Sequence, residues 1–234
     1  MKNVFLSLLL LVGASVSQAA LYIESGTSIE GIASFTGSLT YTATNATTAT
    51  LVVNLTNTSP LDNGGYLTSF AFNNPSNYIT GVTMSTTTGL DNLLGKASKK
   101  QLDKGKKSWQ NLVDAQPFGS FDIGASVGSC WHSCGGPTDG IYAGNSGTWT
   151  FNLTGTNLNT LTEQSFVNTT SYSKGYGNQF MVVRFRGFLD GGSDKVPTVV
   201  TVVPEPSEYA LVLSAGVGAL LFARRRKLAQ QKAS

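Results

Sequence analysis

Cys130, His132 and Cys134 stand in the run Cys130-Trp131-His132-Ser133-Cys134, where thiol or metal chemistry could be done. The chain holds two cysteines and one histidine in all. Two thiolates and an imidazole give three ligands in cramped spacing, whereas a structural zinc site usually takes four. A redox-active pair needs Cys-x-x-Cys on a thioredoxin-like βαβ unit, and both are absent. The reading favoured over metal binding is a disulfide between Cys130 and Cys134 that closes a small loop in an oxidising compartment. Its contribution is at the low end for disulfides, roughly 2 kcal/mol, because the loop is short. His132 is also the general base that any Ser-His-Asp or Cys-His hydrolase would have to use, and a place inside that loop suits it poorly.

Carboxylates offer a second kind of chemistry. A glycosidase needs two of them about 5 to 10 Å apart, and Asp122, Asp139, Asp190 and Asp194 are the candidates. Nothing in their spacing sets any two face to face, and loop aspartates ordinarily make turns. Asp190 and Asp194 flank Gly191-Gly192-Ser193 and could hold Ca²⁺ with backbone carbonyls, but the full calcium-loop pattern is missing. The glycine pairs carry no Lys-Ser/Thr and no strand-to-helix context, so no phosphate cradle is expected. The expectation is a chain with no catalytic residue, no metal and no cofactor.

The elements that would carry these residues read as strands. Leu39, Tyr41 and Ala43 alternate with polar neighbours, as do Leu51, Val53 and Leu55, and Trp149, Phe151 and Leu153. Met181, Val183 and Phe185 form a fourth set, with Arg184 and Arg186 on the opposite face. Residues 65–72 and 78–87 are further candidates. Turn signals lie between them at Asp62-Asn63-Gly64-Gly65, Asn73-Asn74-Pro75 and Asp190-Gly191-Gly192. No βαβ rhythm appears. The predicted fold is all-β, an antiparallel β-sandwich or jelly roll. Residues 90–112 interrupt the pattern with six lysines, at 96, 99, 100, 104, 106 and 107, and read as a solvated insertion with one or two turns of helix.

Both ends differ from this middle. Residues 1–19 carry one charge, Lys2, then an apolar run from Val4 to Val12, then Ser17-Gln18-Ala19. That run is too short to span a bilayer, which takes about 20 residues. The pattern is that of a signal peptide cut by signal peptidase after Ala19 or Ala20. At the other end Pro204-Glu205-Pro206 precedes an uncharged apolar stretch from Tyr209 to Ala223, and Arg224, Arg225, Arg226 and Lys227 follow. The basic cluster is a stop-transfer signal, held on the cytoplasmic side with residues 228–234 as a short tail. Prolines on both sides of Glu205 keep that segment extended and stiff.

Charge supports the division. Between Ala20 and Val203 there are ten Lys plus Arg and eleven Asp plus Glu, a balance of minus one within a total of plus three. The basic character therefore belongs to the ends, and nucleic-acid binding is not expected.

The order Pro204-Glu205-Pro206, short apolar helix, arginine cluster resembles the PEP-CTERM sorting signal recognised by exosortases of Gram-negative bacteria. Ser207, Ala210 and Leu211 fit the run that follows, while Tyr209 stands where the family often has Trp. The middle also looks like an ectodomain type that recurs among PEP-CTERM proteins, through Gly65 to Asn73, Phe121 to Ala125, Phe185 to Phe188 and Gly191 to Pro197.

The resemblance implies four parts: a signal peptide at 1–19, an extracellular β domain at 20–200, a sorting signal with a transmembrane helix at 203–227, and the tail. It implies an inner-membrane precursor that becomes a cell-surface or matrix protein of the exopolysaccharide or biofilm layer. Exosortase, signal peptidase and extracellular polysaccharide are the partners it implies. The alternative reading is a secreted carbohydrate-active hydrolase using paired aspartates.

Overall fold

Alternating short sequences of Thr, Val, Leu and Phe suit a pleated surface whose side chains point to opposite faces in turn. The computed structural model describes residues 20–132 and 134–201. In its first half, β1 (Leu21–Ser25), β2 (Phe35–Ala43), β3 (Thr48–Asn57), β4 (Gly64–Phe72), β5 (Ile79–Thr86) and β6 (Asn92–Leu94) follow one another. The short strands β7 (Val113–Asp114), β8 (Ser120–Phe121), β9 (Ile123–Ser126) and β10 (Ile141–Tyr142) come next, and then the long β11 (Ser146–Gly155). The described residues close with β12 (Ser171–Ser173), β13 (Gly177–Gln179), β14 (Met181–Phe188) and β15 (Ser193–Thr201). Among the described residues two α-helices, α1 (Lys99–Leu102) and α2 (Glu163–Val167), are about one turn each.

Eleven of these strands make one antiparallel sheet in the order β5-β11-β3-β2-β1-β15-β14-β4-β9-β6, with β10 added to β4. The sheet is nearly closed: Phe70 of β4 meets Trp149 of β11 at 4.7 Å between ring centroids, although many strands separate them along the sheet. Such edge-to-face packing suits the ring quadrupole. The closure turns on β15. Residues up to Pro197 pair with β14, and Thr198 to Thr201 pair with β1. Pro197, which has no N–H to give a ladder, stands at that change of partner.

The long strands show the period-two pattern directly. Leu51, Val53 and Leu55 of β3 and Trp149, Phe151 and Leu153 of β11 point into the core. Leu39 and Tyr41 of β2 join them, whereas Ala43 at the strand end is exposed. The other face of β2, β3, β11 and β5 is an array of small polar side chains, joined across strands where Thr148 Oγ1 donates to Asn54 Oδ1 (2.6 Å) and Asn54 Nδ2 donates to Ser38 Oγ (3.3 Å).

Around β4 the pattern departs from expectation, because the sheet there is covered on both faces. Phe70 and Phe72 face the main core. Ala71 and Val182 face a second cluster made by Leu94, Val113, Ala115, Phe118, Phe121 and Trp131. Part of the stretch between β5 and β11, with β7, β8 and the loop bearing Trp131, thus folds back over the sheet as an outer layer. Arg184 lies on the outer face, as its alternation predicts, yet is only 9 % exposed, with Nη1 donating to the Trp131 carbonyl (3.1 Å). Burial, and then the neighbouring Arg186, lower its pKa to about 10.

The lysine segment holds α1, started by a capping box in which Ser98 and Gln101 satisfy each other's N–H groups. All six of its lysines are exposed, and like charges do not extend a helix. Among the described residues no helix is long and apolar enough to cross a membrane. The expected span at 209–223 lies outside them, as do Ala19, Pro204, Glu205, Pro206, Arg224, Arg225, Arg226 and Lys227; Ala20 is the first described residue.

Candidate functional site

Where β4 ends, the chain leaves the sheet through Asn73-Asn74 and a 3-10 turn, Pro75–Asn77. Two other segments meet it there. One brings Asn111 from the outer layer, and the other brings Thr169, Thr170, Ser171 and Tyr172 from the end of α2 into β12. Together with Ser120 and Asp122 they line an open cleft of about 470 Å³.

Asp122 is the floor. Its N–H donates to the Phe72 carbonyl (3.1 Å), which fixes it beside the end of β4. Its carboxylate accepts one backbone N–H from each wall, Asn74 on Oδ2 (2.8 Å) and Asn111 on Oδ1 (2.6 Å). The residue is 7 % exposed, and burial pushes its carboxyl up while the two N–H groups pull it down; burial prevails. Gly95 passes close behind, at φ +100°, where a Cβ would stand 1.9 Å from the Asp122 carbonyl oxygen, so glycine is required.

The walls are held as firmly. Asn74 Nδ2 donates to the Ile79 (2.8 Å) and Trp109 (3.2 Å) carbonyls, while its Oδ1 accepts from Ile79 N–H (3.0 Å). Asn73 Nδ2 donates to the Thr169 carbonyl (3.1 Å) and its Oδ1 meets Ser171 Oγ (3.1 Å). Ser171 Oγ also bonds the Ser120 carbonyl. Ser76, Asn77 and Asn111 have left-handed backbone, as does the buried Trp109 behind them. Asparagine tolerates that conformation, which accounts for two of the four, whereas Ser76 and Trp109 are held there by their surroundings. Tyr172 stands at the rim, 71 % exposed.

The other sequence candidates do not converge here. Asp139 is two residues before Ile141, which pairs with Leu67, whereas Asp122 precedes Ile123, which pairs with Phe72. The two thus approach β4 at different points along it, and Asp139 is not among the residues that line the cleft. Asp190 Oδ1 accepts Gly192 N–H (2.8 Å) in the β14–β15 turn. Asp194, 1 % exposed, spends its carboxylate on four backbone N–H groups, those of Glu30, Ile32, Ala33 and Lys195. Both are turn and loop anchors.

Cys130 and Cys134 form a disulfide with Cα atoms 5.4 Å apart, and Cys134 N–H donates to Cys130 Sγ (3.2 Å). His132 is exposed on that loop, while Trp131 is turned into the outer cluster. A smaller hollow of about 290 Å³ runs between the loop and the α1 segment, with His132, Asp114 and Lys96 on its wall. Among the described residues no group of three or more His, Cys, Asp or Glu side chains could hold a metal.

In the sequence Asn73-Asn74-Pro75 reads as a turn and Asp122 as one of four candidate carboxylates, while Asn111, Ser171 and Tyr172 carry no signal of their own. The one signal was the doubled asparagine before proline. No family model matches the chain, and no curated protein matches it.

Proposed function

We propose that this chain is an exported surface or matrix protein of a Gram-negative bacterium, non-enzymatic, and a structural or adhesive component of the exopolysaccharide or biofilm layer. Signal peptidase removes the N-terminal segment after Ala19 or Ala20. An exosortase processes the inner-membrane precursor near Pro204, Glu205 and Pro206, releasing the β domain from its membrane helix. We read that domain as a sandwich, its two halves joined through β15. The observation that carries the proposal is the order of parts at the C-terminus: a proline-flanked glutamate, an uncharged stretch from Tyr209 to Ala223, and Arg224 to Lys227.

Two features are in keeping with it. The Cys130–Cys134 disulfide suits an oxidising compartment. The outer face of the β2–β3–β11 region is uncharged and hydroxyl-rich, compatible with a hydrated polymer matrix. Asp122 lines its cleft without Asp139, Asp190 or Asp194, which gives the hydrolase alternative no paired carboxylate there.

The test is direct. With Pro204, Glu205 and Pro206 all changed to alanine, the protein should keep its C-terminal segment and remain in the inner-membrane fraction. Processing and release identical to the unaltered chain would refute the sorting assignment.

A further inference from the structure

We infer that the cleft between Asn74, Asn111 and Tyr172 is a binding site for a neutral sugar unit of a polysaccharide. This rests on the surface-protein reading and names the partner and the place of contact.

Asp122, Asn73 and Asn74 use their polar atoms to bind the walls to one another, so the cleft is built before any ligand arrives. Preorganisation of this kind lowers the cost of binding. The side chains of Ser76, Asn77, Asn111 and Thr170 line the same cleft and make no hydrogen bond among the described residues. Amides and hydroxyls of this sort can each donate and accept, as a sugar hydroxyl does. Tyr172 adds an exposed ring at the rim against which the C–H face of a pyranose can lie. The volume is in the ordinary range for ligand sites, about 300 to 1,000 Å³.

Charge selects the class of sugar. No lysine or arginine lines the cleft, and its one ionisable floor residue besides Tyr172 is a carboxyl. A uronate or sulfated unit would meet no cation there, and a carboxylate beneath. A metal ion is disfavoured because both Asp122 oxygens already accept N–H groups. A neutral hexose or N-acetylhexosamine unit fits the donors and acceptors that remain.

The experiment uses the exported protein and an array of neutral oligosaccharides of glucose, galactose, mannose and N-acetylglucosamine, with uronate oligosaccharides alongside. Two variants are compared: Tyr172→Ala removes the rim ring, and Asn111→Gly removes an amide while keeping a residue at ease with φ 51°. Binding to at least one neutral oligosaccharide is expected, little changed by salt, with at least tenfold loss in each variant and an unchanged circular dichroism spectrum. No binding to any neutral oligosaccharide, binding confined to uronates, full retention in both variants, or release of new reducing ends would overturn the inference. C-terminal processing is scored on the same samples. A processed, surface-located protein that binds no sugar sinks this inference alone, whereas sugar binding by a chain that is never sorted sinks the surface reading alone.

Discussion

Asp122 joins two loops through a single buried carboxylate, and that arrangement has consequences at the residue scale. An asparagine at this position could accept one of the two N–H groups and would turn its own N–H toward the other. Asp122→Asn is expected to cost about 1–3 kcal/mol, the usual penalty for a buried donor left without a partner, measured by urea denaturation. The pH dependence has a definite sign. The folded carboxyl titrates above its ordinary value of 3.8, chiefly through burial, so ionisation costs the folded state more than the unfolded one. Stability therefore falls as pH rises from the unfolded value through the raised folded value, and levels above it. That component should vanish in Asp122→Asn. A variant showing the same decline would place its origin elsewhere.

The elements over the outer face of β4 depend on a short loop. Cys130–Cys134 holds Trp131 where its ring fills the second cluster and its carbonyl accepts from Ser69 Oγ (3.3 Å) and Arg184 Nη1 (3.1 Å). Opening the loop frees both the chain and that ring. Replacing Cys130 and Cys134 together by serine should lower stability by roughly 2 kcal/mol, the value for a small closed loop. Hydrogen exchange should rise in β6, β7 and β8 while β3 and β11 stay protected. Equal loss of protection across β3 and β11 would mean that the loop supports the main core. The lysine segment is anchored at its two ends, Leu94 in the second cluster and Trp109 in the main core, and its charges face water.

For the molecule as a whole, β15 is the shared member. Its first residues complete the β14 side of the sheet and its last residues complete the β1 side, so neither half closes without it. Phe70, Phe72, Trp149 and Phe151 then meet across the core from strands distant in sequence. A single cooperative transition is expected: far-ultraviolet circular dichroism and tryptophan fluorescence should share one urea midpoint. Two midpoints would show that the halves fold separately.

The sequence by itself determined the strand faces. Period-two alternation at Leu51 to Leu55 and Trp149 to Leu153 is a local property of the pleat, so it could be read without knowing any neighbour. The same rule put Arg184 on the outer face but could not tell that face's burial, which is fixed by a segment some fifty residues earlier in the chain. The cleft was hidden for the same reason. Asn74, Asn111, Asp122 and Tyr172 share no period and lie on separate segments, Tyr172 within β12, and only the tertiary fold at the end of β4 brings them together. Tertiary structure also separated Asp122 from Asp139, because strand pairing sets positions along β4 that residue spacing does not encode.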